Sequence, residues 1–91
     1  MSEDVRYTAL VPEQQRVLLE QELIANATAT LRRLLASEQI TTAELAQRLD
    51  RTPESVRQIF DGGRNLTLKT LARLAEAAGY RITLTAEKLG R

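Results

Sequence analysis

Four polar side chains within five residues carry the most specific chemistry of this 91-residue chain. Arg57 has a fork of donors, Gln58 a donor and an acceptor, Glu54 two acceptors, and Ser55 a hydroxyl. Side chains of these types pair with base edges: arginine with guanine O6 and N7, glutamine with adenine N6 and N7, and glutamate with cytosine N4. Because residues three and four apart share a helix face, one helix would present Glu54, Arg57 and Gln58 together. The pattern favours contact with DNA bases.

The same residues have a plainer interpretation, which stays open at the level of sequence. On an ordinary solvated helix, Glu54 would pair with Arg57 or Gln58 across one turn. The acidic charge of Glu54 also suits the first turn of a helix without any ligand.

Two short helices and a tight turn are predicted to position this face. Thr41 and Glu44 have the spacing of a capping box and begin the first helix. Thr52 and Pro53 begin the second with an N-cap hydroxyl and a proline at the first helical position, where its missing N–H costs nothing. The apolar residues predicted to face inward from the two helices are Leu45, Ala46, Leu49, Val56, Ile59 and Phe60.

Residues 31–79 resemble the helix-turn-helix domain of the Cro and phage-repressor (XRE) family. The matching features are Leu45, Ala46 and Leu49, then Val56 and Ile59, the loop GGRN and the helix LKTLARLAEAAG. The resemblance implies an all-α, lambda-repressor-like bundle whose second motif helix, 53–61, enters the major groove of double-stranded DNA. Contacts with the DNA backbone are then expected from Thr42, Arg51, Thr52, Arg64, Asn65 and Lys69.

The chain departs from the family pattern at two positions. Asp50 occupies the turn position that usually holds glycine because it needs a positive φ; aspartate tolerates that conformation better than most residues. Pro53 stands where family members often have a polar, base-contacting side chain. Base contacts are therefore predicted deeper in the helix, at Glu54, Arg57 and Gln58, with Ser55 beside them.

A long stretch in which apolar residues recur with helical periodicity precedes the motif. Residues 13–37 have a helical pattern, which fits one long helix or two abutting ones across the weak helix formers Asn26, Thr28 and Thr30. The first half of this helical stretch is longer than a small bundle needs, so Val17 and Leu18 are predicted to contact a dimer partner or another protein. The alternative is that this half folds back on its own domain.

The two ends of the chain are predicted to be extended. Tyr80, Ile82 and Leu84 alternate with polar residues, which predicts a short C-terminal β-strand and tail over 80–91. A homodimer partner is the preferred neighbour for this strand; the N-terminal arm or another protein's strand are the alternatives. Residues 1–12 are predicted to be an extended or disordered arm, leaving 13–79 as the DNA-binding domain, with its motif at 41–64.

Composition narrows the class of protein. Leu, Ala, Ile and Val dominate the apolar residues, with one Phe and no Trp, which favours packing between helices. Cysteine and histidine are absent, and no nucleophile with a base, paired carboxylates or phosphate-binding loop stands out, so neither an enzyme nor a metal or cofactor site is predicted. No stretch is long and apolar enough to span a bilayer and no signal peptide is evident, so a cytoplasmic protein is expected.

Charge is unevenly distributed. Residues 1–41 have four basic and six acidic side chains, a net −2, whereas residues 42–91 have nine basic and six acidic, a net +3. Any surface that faces phosphates therefore belongs to the second half.

Three functions follow as hypotheses. The first is a dimeric, sequence-specific DNA-binding regulator, most simply a repressor. The second is an antitoxin that binds a toxin protein and regulates its own operon, since the family includes many small antitoxins. The third is a protein-interaction module that keeps the fold without binding DNA, because Pro53, Glu54 and Asp61 make the outer face of helix 53–61 less basic.

Overall fold

The computed structural model describes residues 12–62 and 66–90, and its regular secondary structure there is helical throughout. Helix α1 spans Glu13–Ser37, α2 Thr42–Leu49, α3 Pro53–Phe60 and α4 Leu68–Ala77. The helices agree with the all-α part of the predicted fold. All of the predicted arm 1–12 except Pro12, and two predicted contact residues, Arg64 and Asn65, lie outside the described residues.

Residues 13–37 form one helix rather than two. At its weak centre, the buried Thr28 hydroxyl lies 3.2 Å from the Ile24 carbonyl oxygen and 3.1 Å from that of Ala25. A threonine can therefore face the core without an unsatisfied polar group, because its own helix accepts the hydrogen bond.

The core lies between the C-terminal half of α1 and the three shorter helices. Its side chains are aliphatic and include Ala46 of α2, which is almost fully buried. Helix α2 packs on α3, and small core residues let neighbouring helices approach closely. The largest fully buried side chains are Leu31, Leu45, Val56, Ile59 and Leu74.

The short helices begin at the predicted threonines. Thr41 accepts a hydrogen bond from the Glu44 amide at 3.1 Å, and the Glu44 carboxylate accepts from the Thr41 amide at 3.2 Å, which completes the capping box. Thr52 and Thr67 each accept from the amide three residues on, at 3.1 Å. These local bonds satisfy amides that have no partner within the helix.

Three helices end in the same way, with a left-handed residue after the last turn. Gln39, Asp50 and Gly79 have φ angles of 56°, 57° and 90°. After each, the next amide donates back to a carbonyl five residues earlier, at 2.8–2.9 Å, as in Ile40 to Leu35. This is the Schellman arrangement, which favours glycine at the left-handed position. Asp50 thus adopts the positive φ that the turn requires.

The predicted C-terminal β-strand is wrong. Residues 80–90 form no strand within the described chain. The Tyr80 amide instead donates to the Ala75 carbonyl at 2.9 Å, the Tyr80 hydroxyl donates to Glu38 at 2.8 Å, and Ile82 packs on the core. A strand needs the edge of another strand for its backbone hydrogen bonds, and the described bundle offers none. The alternation instead reflects an irregular segment that partly buries Ile82 against the helices while Leu84 remains exposed.

Among the described helices, none combines the length and the apolarity that crossing a membrane requires.

Candidate nucleic-acid interface

Helix α3 buries one side and exposes the other. Val56 and Ile59 are completely buried, which fixes the rotation of the helix about its axis. Glu54, Arg57 and Gln58 are consequently exposed on the opposite side, as the sequence predicts, while Ser55 is half-buried at its edge. The outer side of α3 thus presents three of the four predicted base-contacting residues together.

Thr42 joins these residues in one surface groove. It is half-buried at the first position of α2, and it lines a groove of about 440 Å³ with Glu54, Arg57 and Gln58. A hydroxyl at a helix N-terminus is suited to an anion, because the first amides of the helix point the same way. The structure therefore places one predicted backbone contact beside the predicted base contacts.

An ion pair already exists within this face. An Arg57 Nη2 atom lies 3.3 Å from Glu54 Oε1, with both side chains more than 60% exposed. Exposed pairs of this kind contribute about 0.2–1 kcal/mol, so a ligand could rearrange the pair at little cost. The pairing expected of an ordinary solvated helix is thus present in the free chain, and it leaves most Arg57 donors available.

Arg51 and Ser55 occupy the flank of α3 that faces α4. An Arg51 Nη1 atom donates to the Ser55 hydroxyl oxygen at 3.3 Å, and Arg51 lines a small cleft with Thr70 and Arg73. Ser55 is therefore engaged with Arg51, although its hydroxyl hydrogen can still be donated elsewhere. Arg51 lies beside α3, where a second basic group would face a bound anion.

Two further predicted contacts with the DNA backbone, Thr52 and Lys69, lie within the described residues. The Thr52 oxygen accepts from the Ser55 amide at 3.1 Å as the N-cap of α3, which leaves only its hydroxyl hydrogen for a phosphate. Lys69 is exposed in the first turn of α4.

Arg32 is a member of this site that the sequence does not reveal. From α1, its Nη2 donates to the Phe60 carbonyl oxygen at 3.2 Å, and its guanidinium carbon lies 5.4 Å from the centre of the Phe60 ring. The hydrogen bond satisfies a carbonyl in the last turn of α3, and the stacking adds a cation–π attraction. Arg32 also lines the groove of Thr42, so it holds the end of α3 and adds positive charge there.

Arg48 has a similar anchoring role that the sequence also leaves undetected. Its Nη1 donates to the Ala77 carbonyl oxygen at 2.6 Å, at the end of α4. Both arginines are separated from their partners by almost thirty residues, so helical periodicity cannot indicate them.

Charges on the groove are mixed. Arg32 and Arg57 are opposed by Glu54 and by Asp61, which follows the last residue of α3. Positive charge increases toward the flank with Arg51 and Arg73. The surface is therefore suited to selective hydrogen bonding more than to strong general attraction of polyanions.

No protein-family model, curated protein or solved structure matches the chain.

Proposed function

We propose that the protein is a DNA-binding regulator that inserts α3 into the major groove as a dimer. The observation that carries the proposal is the joint placement of Glu54, Arg57 and Gln58 beside Thr42, on a helix whose other side is completely buried. A short rigid helix with an exposed polar side is the element that major-groove recognition uses.

Arg57 and Gln58 supply the base contacts in this proposal. The Glu54 carboxylate engages one Arg57 nitrogen at 3.3 Å and thereby orients the guanidinium without using all of its donors. The free donors can bind guanine O6 and N7, and the neighbouring Gln58 amide can bind adenine N6 and N7. Each correct pair would discriminate against a wrong base by about 1–3 kcal/mol.

Thr42 and Arg51 supply backbone contacts on either side of α3. Thr42 would offer its hydroxyl and the adjacent amides of α2 to one phosphate, and Arg51 its guanidinium to another. Such contacts set affinity and orientation, and they make binding weaken as salt increases. Repression follows if the bound site overlaps a promoter.

A selection from random duplexes followed by mobility shifts tests this function. The doubly substituted Arg57→Ala, Gln58→Ala protein should lose roughly 30-fold or more in preference for the selected site, since two base contacts worth about 1–3 kcal/mol each are removed. Its binding to random DNA should persist, because the backbone contacts of Thr42 and Arg51 are unchanged.

The matched control substitutes the same residue types elsewhere on the exposed surface. Gln47 and Arg81 are exposed and lie outside the groove of α3, so Gln47→Ala with Arg81→Ala should keep the preference. Unchanged preference in the Arg57, Gln58 variant would exclude α3 as the recognition surface. Absence of salt-dependent binding in the unsubstituted protein would exclude DNA binding altogether and leave the interaction module.

An antitoxin is the second candidate function, and the exposed apolar part of α1 favours it. Val17 and Leu18 are exposed on the N-terminal half of α1, where a toxin protein could dock. A small toxin-like reading frame beside the gene, and a stable complex between the two purified proteins, would support this candidate. Failure of those two proteins to associate would reject it.

A further inference from the structure

Pro53 is an exposed apolar residue beside the polar side chains of α3. It occupies the first position of the helix, directly before Glu54, and it is open to solvent. At about 100° per residue, Pro53 lies about 40° from Arg57 and one turn before it, so both side chains follow one stripe of the helix. The surface proposed to contact DNA therefore continues beyond its polar residues onto an apolar ring.

The position of this ring is fixed by the start of α3. The Thr52 hydroxyl oxygen accepts from the Ser55 amide at 3.1 Å, and the Thr52 carbonyl oxygen accepts from the Val56 amide at 3.2 Å. Val56 is itself completely buried. Because the pyrrolidine ring also leaves φ almost no freedom, a contact made by Pro53 would cost little conformational entropy.

The N-terminal end of α3 would lie close to the bases. When the second helix of a helix-turn-helix pair enters the major groove, its N-terminal residues contact the base edges. Pro53 is the first residue of α3. Arg57 follows four residues later, about 6 Å along the helix axis, whereas successive base pairs are about 3.4 Å apart. The ring would therefore lie over a base within about two base pairs of the guanine that Arg57 binds.

The chemistry of proline limits what this ring can cover. Its side chain has no hydrogen-bond donor or acceptor, and its backbone nitrogen has no hydrogen. If the ring covered a carbonyl, an amino group or a ring nitrogen of a base, it would displace water without replacing the hydrogen bond, which is unfavourable. The 5-methyl group of a pyrimidine is the apolar group that a base presents in the major groove.

We propose that Pro53 binds the 5-methyl group of a pyrimidine and so selects a 5-methylpyrimidine within about two base pairs of the guanine bound by Arg57. The inference rests on the proposed function and deepens it by naming a base that α3 selects. Thymine carries this methyl group in any DNA sequence, and 5-methylcytosine carries it at the same ring position in methylated DNA.

Glu54 is the charged neighbour of the ring, and its carboxylate bears on which of the two pyrimidines is bound. Its Oε1 atom lies 3.3 Å from an Arg57 nitrogen. A carboxylate that stays on Arg57 leaves the pyrimidine edge free of negative charge, which suits the O4 acceptor of thymine. A carboxylate that turns to the base would accept from the N4 amino group of cytosine instead. Changes in the DNA separate the two pyrimidines.

Replacement of thymine by deoxyuridine tests the contact, because it removes only the methyl group. In a site selected from random duplexes, the guanine whose preference disappears in Arg57→Ala marks the centre of the window. Deoxyuridine then replaces each thymine within about two base pairs, and one replacement should raise the Kd about fourfold, as expected for one methyl group lost from an apolar contact. Where cytosine occupies the position instead, 5-methylcytosine should lower the Kd by about the same factor.

A substitution in the protein assigns the methyl effect to the ring. Serine suits the start of a helix but lacks the apolar ring. In Pro53→Ser, duplexes with and without the methyl group should bind equally, whatever the change in overall affinity, because the comparison isolates the coupling between ring and methyl group. Pro12→Ser is the matched control, since Pro12 is also exposed and directly precedes a helix, α1; it should keep the fourfold effect.

Two results would overturn the inference and leave the proposed function intact. One is a site whose recognition depends on Arg57 and Gln58 but on no methyl group within the window. The other is a methyl effect of unchanged size in Pro53→Ser, which would assign the contact to another residue. Absence of salt-dependent binding to any duplex would reject both the inference and the proposed function.

Discussion

Replacing Asp50 with glycine tests how the turn between α2 and α3 is built. Asp50 has φ 57° and ψ 47°, and two backbone hydrogen bonds hold it there: its own amide to Gln47 at 3.2 Å and the Arg51 amide to Ala46 at 2.8 Å. A residue with a Cβ atom costs roughly 1–2 kcal/mol in this left-handed conformation, and somewhat less for aspartate. Glycine removes that cost.

Two opposing effects limit the gain. Glycine loses more conformational entropy on folding, which lowers the free energy of unfolding by about 0.5–1 kcal/mol. The Asp50 carboxylate is unfavourable beside the C-terminal end of α2, but it precedes the N-terminus of α3, where negative charge is favourable; each effect is about 0.3–1 kcal/mol, and they largely cancel. The expected result is a gain of about 0–1 kcal/mol in the free energy of unfolding. In a domain of this size it raises the Tm by at most about 8 °C.

Thermal melts followed by circular dichroism measure this effect, with the two other left-handed positions as controls. Gln39 has the same φ within a degree and lacks the short side chain that favours this conformation, so Gln39→Gly should stabilise at least as much. Gly79→Ala should destabilise by about 1 kcal/mol through the backbone alone, because a Cβ atom there meets no atom within 4 Å. Clear destabilisation by Asp50→Gly, with the controls behaving as expected, would show that the carboxylate itself supports the turn and outweighs the cost of its left-handed conformation.

Three further substitutions test the elements that position α3. Ala46→Leu should cost about 1–3 kcal/mol in the free energy of unfolding, measured by urea denaturation, because Ala46 is almost fully buried in the core and a larger side chain would overpack it; an unchanged midpoint would contradict it. Thr67→Ala should cost about 1 kcal/mol by removing the N-cap of α4, whereas Thr83→Ala, outside the helices, should cost little. Arg32→Gln should reduce preference for the selected DNA site more than it lowers the Tm, since the hydrogen bond from Arg32 Nη2 to the Phe60 carbonyl oxygen, 3.2 Å long, holds the end of α3; equal preference would reject that role.

Features set by neighbouring residues could be predicted from the sequence. Thr41, Thr52 and Thr67 each act within one turn of their own position, so their caps follow from local chemistry. The outward placement of Glu54 and Arg57 likewise follows once Val56 and Ile59 are assigned to the core. Hydrophobic periodicity can therefore predict which side chains of a helix face a groove.

Features that depend on distant partners were missed or wrongly predicted. Arg32 and Arg48 were missed because each caps a helix almost thirty residues away. The strand at Tyr80 to Leu84 was wrong because alternation describes only which side chains face inward, and it does not supply a partner edge. Tyr80 and Ile82 instead make contacts within their own chain.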